Sequence, residues 1–183
     1  MTEREDIIIS AMKERRSIRK FMPDMPSDEA IDKIVEAGLY AASGRDSQAP
    51  VIVVVKDKTL RDRLSRINQE IWNTKASSWN KGQDPFYEAP LVIVVVANKK
   101  RPTYVYDGSL TLGNMMLAAH AVGLGSCWIH RAKEEFEMDE FKNLLKELGL
   151  EGEYEGIGHL AVGYIDGEVP AARPRHNSRY FSI

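Results

Sequence analysis

Two unbroken apolar runs constrain this chain most, Val51-Ile52-Val53-Val54-Val55 and Leu91-Val92-Ile93-Val94-Val95-Val96. β-Branched side chains fit a pleated surface better than a helix, and a run without polar alternation predicts a strand covered on both faces. Ser126-Cys127-Trp128-Ile129 and Leu160-Ala161-Val162-Gly163-Tyr164 predict a third and a fourth strand. Strands covered on both faces need helices to cover them, and the stretches between supply these.

Thr2 and Glu5 form a capping-box pair before Ile7, Ile8, Ala11 and Met12, a helix that ends by Arg15. Pro26 and Ser27 open a second helix, with Ile31, Ile34, Val35, Gly38, Leu39 and Ala42 at helical spacing. Leu60, Leu64, Ile67 and Ile71 mark a third. Residues 110–122 are apolar nearly all round, which predicts a helix in the middle of the domain or along a dimer interface. Residues 134–148 read as one amphipathic helix on Phe141, Leu144, Leu145 and Leu148, with Gly149 as its C-terminal cap. Between Asn73 and Ala89 lies a polar stretch with Trp79, Gly82 and Pro85, long enough to be functional or mobile. The end, from Asp166, is rich in Pro and Arg and has no period. The expected class is α+β, an α/β sandwich around a mixed, mainly antiparallel sheet, as one domain over residues 1–183.

Composition narrows the function. With 25 Lys and Arg against 27 Asp and Glu, the formal net charge is −2, so no global field draws nucleic acid or an anionic membrane. Any anion site has to be local. Cys127 is the only cysteine, which excludes an intramolecular disulfide and a zinc site of several Cys ligands. No apolar run approaches the roughly 20 residues of a membrane span, and the charged first residues do not read as a signal peptide; the expected compartment is the cytoplasm.

Four segments carry candidate chemistry. Arg15-Arg16-Ser17-Ile18-Arg19-Lys20 places four cations and a hydroxyl within six residues, just past a helix. Guanidinium forks match phosphate geometry, and in an extended stretch Arg15, Ser17 and Arg19 point the same way. The alternative is a solvated charged turn. Ser43-Gly44-Arg45-Asp46-Ser47-Gln48-Ala49-Pro50 lies between a helix and a strand, where side chains can read a ligand edge or simply make a turn. Gly123-Leu124-Gly125-Ser126-Cys127-Trp128-Ile129-His130 follows the apolar helix, and its glycines allow a close backbone approach or end that helix. The tail carries Arg173, Arg175 and Arg179.

Taken in order, these segments resemble the nitroreductase-like flavoprotein family over nearly the whole chain. The resemblance rests on Arg15-Arg16-Ser17-Ile18-Arg19, on residues 43–50, on Ala89-Pro90-Leu91-Val92-Ile93-Val94, on Asn114-Met115-Met116-Leu117-Ala118-Ala119 and on Gly123-Leu124-Gly125-Ser126. It implies an FMN-dependent homodimer that uses NAD(P)H to reduce a small-molecule electron acceptor in a ping-pong cycle. Nitroaromatics and quinones are the implied acceptors; a specialised step such as reductive dehalogenation, or flavin or anion binding without turnover, stands beside them. By resemblance, Arg15, Ser17 and Arg19 hold the FMN phosphate, ribityl chain and pyrimidine edge, with Arg16 alongside. Ser43, Asp46 and Gln48 match the segment that reaches the flavin from the partner subunit. Trp128, Ile129 and His130 match the backbone that passes the ring, and Arg173 and Arg175 the tail arginines that close on the phosphate across the dimer. The chain departs from the family at Asp46, where Asn is frequent; a carboxylate there calls for a paired cation such as Arg45. No protein nucleophile or general base is implied.

Other residues read as structural. Cys127 is expected to be a core thiol, and His120 a hydrogen-bonded residue of the buried helix. His159 and His176 have no acidic or Cys partner at metal spacing, and the acidic run 134–140 reads as a solvated helix face. Trp72 and Trp79 border the long polar stretch and either line a substrate mouth or vary freely.

Overall fold

The computed structural model describes residues 3–75, 82–176 and 179–182. Helix α1 spans Glu3–Glu14 and α2 Asp28–Leu39, the latter capped by the Ser27 side chain, which accepts from the Ala30 N–H. A short 3-10 turn, Gly44–Asp46, leads into β1, Pro50–Val55. Then come α3 (Lys58–Lys75), β2 (Leu91–Asn98), α4 (Tyr104–Ala121) and β3 (Gly125–Ile129), followed by α5 (Ala132–Phe136), α6 (Asp139–Glu147) and β4 (Tyr154–Gly163). Thr2 and Trp79 lie outside the described residues.

The sheet order is β1-β2-β4-β3, every neighbouring pair antiparallel. One parallel bridge, Ser17 with Ser126, adds the stretch after α1 to the open edge of β3, which makes the sheet mixed but mainly antiparallel, as expected. Phe21 pairs in turn with Ile165 just beyond β4. The two faces bury separate cores. One gathers Leu64, Phe86, Val92, Val94, Phe136 and Phe141 under α3, α5 and α6; the other gathers Ile31, Ile34, Leu112, Met115 and Leu160 under α2 and α4.

Four expectations need correction. Strand β1 is not covered on both faces: it is the outer strand, and only Val55 is fully buried. Helix α4 begins six residues before Leu110 and buries one stripe, Asp107, Thr111, Leu112, Met115 and Ala119, while Tyr106 and Leu110 are exposed. The single helix expected over 134–148 is two helices broken at Met138, whose backbone is extended (ψ 144°). Phe136 and Phe141 would stand about 140° apart around a continuous helix, whereas the break lets both rings enter one core at 5.4 Å. Strand β4 starts at Tyr154, six residues early, because Gly156 and Gly158 hide it from a propensity reading. Close approach requires those glycines: a Cβ at Gly156 would stand 2.1 Å from the Ala132 carbonyl oxygen, and one at Gly158 2.4 Å from Trp128 Nε1. Between them Ile157 is the extra residue of a register shift opposite Val95 and Val96.

Candidate functional site

The stretch after α1 is fixed from both sides. The Ile18 N–H donates to the Ser126 carbonyl at 3.0 Å, and the Met22 N–H to the Tyr164 carbonyl at 2.9 Å. Ile18 is buried, so its neighbours in an extended chain turn to the other face. Arg15, Ser17 and Arg19 accordingly come together around Cys127. Burial pushes the Cys127 thiol up; the Arg19 charge, a hydrogen bond with Ser17 and the Arg15 charge oppose it without prevailing. That leaves a protonated core thiol, as expected. Arg15 Nη1 is buried without a hydrogen-bond partner among the described residues. Arg19 lies over Tyr87, 5.8 Å from its ring centroid. Arg16 points the other way, its Nη1 donating to the Lys13 carbonyl at 2.6 Å and the Arg15 carbonyl at 2.8 Å, so it caps the end of α1.

Beside these cations, β3 ends at a cavity of about 210 Å³ lined by Gln69, Trp72, Asp84, Tyr87, Ile129, His130 and Arg131, among others. A second hollow, lined by Arg19, Lys20 and Glu88, shares Gln83, Asp84 and Tyr87 with it. Trp128 contributes to the first cavity, but its side chain packs on the α2–α4 face beside Gly158. The indole thus turns away from Cys127 and Ile129.

The wall formed by residues 84–89 is held by one carboxylate. Asp84 accepts from the Arg61 guanidinium, the Ser65 hydroxyl, the Phe86 N–H at 3.0 Å and the Glu88 N–H at 2.6 Å. Burial raises its pKa, but the Ser65, Phe86 and Arg61 contacts together hold it below the ordinary carboxylate value. These contacts stabilise a turn in which Tyr87 and Glu88, at φ 55° and 59°, are both left-handed.

The segment Ser43–Gln48 lies elsewhere, at the β1 edge of the sheet, opposite the edge that carries Arg15 and Arg19. Buried Asp107 anchors it, accepting from the Gly44 N–H at 3.0 Å, the Ser47 hydroxyl at 3.4 Å and Thr103 Oγ1 at 2.9 Å. Arg45, Asp46 and Gln48 all have positive φ (55°, 51° and 47°). The Gln48 amide donates to Asp46 at 3.3 Å and the Gln48 N–H to Ser43 Oγ at 3.1 Å. Three left-handed non-glycine residues in four are a strained loop, of the kind found at ligand-binding sites. Arg173 and Arg175 are exposed, in a stretch without secondary structure, and neither makes a hydrogen bond or ion pair among the described residues. One chain therefore joins Arg15, Ser17, Arg19, Ile129 and His130, but neither the 43–48 loop nor the tail.

Sequence reasoning missed a buried polar chain behind the cavity. His159, on β4 opposite Ile129, lies with its Nε2 2.7 Å from Glu135 Oε2, without the alignment of a hydrogen bond; both side chains are fully buried. Glu135 Oε1 accepts from Asn68 Nδ2 at 2.5 Å, Asn68 Nδ2 also reaches the His130 carbonyl at 2.9 Å, and Asn68 Oδ1 accepts from Arg131 Nε at 2.9 Å. His159 thus has an acidic partner after all, and Glu135 is no solvated face. The signal was present: Glu135 precedes Phe136 and follows Ala132 by three, which puts it on their buried side. No group of residues that could hold a metal occurs among the described residues.

The nitroreductase family matches residues 12–164, and the chain belongs to that family. Among similar curated proteins is an NADH dehydrogenase/NAD(P)H nitroreductase of Archaeoglobus fulgidus, 32% identical over 136 residues, with 72% of this chain and 71% of that protein covered. An iodotyrosine deiodinase of Thermotoga neapolitana is 27% identical over 175 residues, covering 86% and 88%. The chain spans only 59% of a further relative with the first of these names, from Methanothermobacter thermautotrophicus, at 30% identity over 66% of this chain. Its fold is that of nitroreductase crystal structures: one from Bacteroides fragilis, with bound FMN, superposes over 100% of both chains with TM-score 0.85 at 22% identity.

Proposed function

We propose that this chain is an FMN-dependent NAD(P)H oxidoreductase that reduces nitroaromatic, quinone or related acceptors, acting as a single-domain homodimer in the cytoplasm. The observation that carries this reading is the convergence of Arg15, Ser17 and Arg19 beside the cavity, with the buried Arg15 Nη1 left without a partner. A desolvated guanidinium nitrogen with no acceptor is costly, and a phosphate oxygen is the acceptor its geometry suits. The residues present therefore fit FMN: Arg15, Ser17 and Arg19 toward phosphate and pyrimidine edge, the 129–130 backbone along the ring. Bound FMN would supply hydride chemistry between the nicotinamide and the acceptor, each using the cavity in turn.

The chain's own part is to bind, orient and exclude water. Trp72, Tyr87 and Ile129 give the cavity apolar walls, and Arg19 in the adjoining hollow favours negative charge near the pyrimidine end. The second subunit is needed in this reading, because Ser43, Asp46 and Gln48 sit at the far sheet edge and the Arg173–Arg175 stretch stands free. A partner surface is available: α1 exposes Ile7 (63%), Ile8, Ile9 and Met12 (55%), and α4 exposes Tyr106 and Leu110 (51%). Among the described residues no helix is long and apolar enough to cross a membrane.

The test is direct. The purified protein should be yellow and bleach anaerobically with NADH or NADPH; a colourless chain that FMN does not protect against heat overturns the proposal, and a yellow chain that no pyridine nucleotide bleaches reduces it to flavin binding. A second reading, reductive dehalogenation, draws support from the similarity to the deiodinase along 88% of that protein's length. Iodide release from 3-iodotyrosine by the reduced protein, with no turnover of nitroaromatics, would favour it.

A further inference from the structure

The cavity holds one cation that the reading above leaves unused. Arg131 lies two residues past β3, at the start of α5, and has φ 80°, a left-handed conformation in a residue that is not glycine. Its Nε is tied to Asn68 Oδ1, and its guanidinium lies 4.1 Å from the Trp72 ring centroid. Asn68 cannot flip its amide: the nitrogen serves Glu135 and the His130 carbonyl, so the oxygen is left for Arg131. Glu135 is turned inward to Asn68 and His159. The cavity's other charged side chain, Asp84, is already satisfied by Arg61, Ser65 and two backbone N–H groups. The Nη atoms of Arg131 make no hydrogen bond among the described residues, and Arg131 lines the cavity together with aromatic Trp72 and Tyr87. A guanidinium clamped at Nε and across its face, with its fork open, is built to take a planar anion.

We propose that Arg131 anchors the carboxylate of an aromatic electron acceptor, so that this cavity selects aromatic acids over their neutral analogues. The inference rests on the proposed function in taking the cavity as the acceptor's place. Two probes alike in ring and size but not in charge, 4-nitrobenzoate and 4-nitrobenzamide, test it on the FMN-loaded dimer. Binding is read from tryptophan fluorescence quenching and selectivity from kcat/KM with NADH or NADPH.

A charge-assisted bidentate contact predicts that nitrobenzoate binds about tenfold or more tighter than the amide, with the difference shrinking as salt rises. Arg131→Gln should bring the ratio to within about twofold while FMN stays bound, and Arg131→Lys should restore part of it. Equal binding of the two probes by the wild-type protein overturns the proposal without recourse to any variant. Release of FMN by Arg131→Gln overturns it too, since Arg131 would then belong to the cofactor. A chain that holds no flavin yet selects nitrobenzoate through Arg131 defeats the oxidoreductase reading and keeps the anchor. A yellow, active chain indifferent to the charge does the reverse.

Discussion

Asn68 makes three hydrogen bonds from a fully buried position, all to the stretch from His130 to Glu135 that leads from β3 into α5. Its replacement by Leu leaves fully buried Glu135, and the part-buried Arg131 Nε and His130 carbonyl, short of a partner. At about 1–3 kcal/mol for each unsatisfied buried group, Asn68→Leu should lower the unfolding free energy by about 2–4 kcal/mol, read from urea denaturation; a loss under about 0.5 kcal/mol would show the network to be idle. Arg19 is exposed and stacked on Tyr87, so Arg19→Ala should leave stability almost untouched while flavin content, read from the 450 nm band, falls sharply. Unchanged flavin removes Arg19 from the site. The cationic cluster was legible because alternation along an extended strand is a local rule: Arg15, Ser17 and Arg19 share a face and Arg16 does not. Helical spacing marks Glu135 as buried, but not its pairing with His159, because that joins α5 to β4 through tertiary packing alone. Arg131 was passed over too, as its conformation and its stacking on Trp72 are tertiary facts.

At the level of elements, β1, β2, α2 and α3 were readable from periodicity and caps, since each has a buried face that its own residues announce. The break between α5 and α6 depends on two rings seeking one core, and the start of β4 on glycines placed for neighbours that approach closely. The turn over residues 84–89 likewise escaped notice, because a single carboxylate organises it. Asp84 has a folded pKa below its unfolded value of about 3.9, so its contribution to stability is present above that value and is lost as pH falls through the lowered folded pKa. Asp84→Asn should therefore destabilise the protein at pH 7 and flatten the acid limb of its stability curve, measured as urea midpoints between pH 7 and pH 2. Parallel curves for wild type and variant would mean that Asp84 carries no such linkage.

For the whole molecule, α4 buries one stripe and leaves Tyr106 and Leu110 to solvent, as α1 leaves Ile8 and Met12, and the proposed dimer would use these exposed side chains. Ile8→Asp with Met12→Asp should bring sedimentation to the monomer and remove bound flavin together. A monomer that keeps its flavin would contradict a site shared between subunits. The exchange of the tail that the resemblance implies has no counterpart among the contacts of one chain, in which Arg173 and Arg175 stand exposed.

The bridge between Ser17 and Ser126 has a consequence for handling and storage. The same six residues that present Arg15 and Arg19 also shield the last row of ladder groups on β3. If FMN binds as proposed, its removal should loosen that cover and bare a template for intermolecular strand addition. Deflavinated stock should accordingly gain thioflavin-positive aggregates faster than the yellow protein kept at equal concentration.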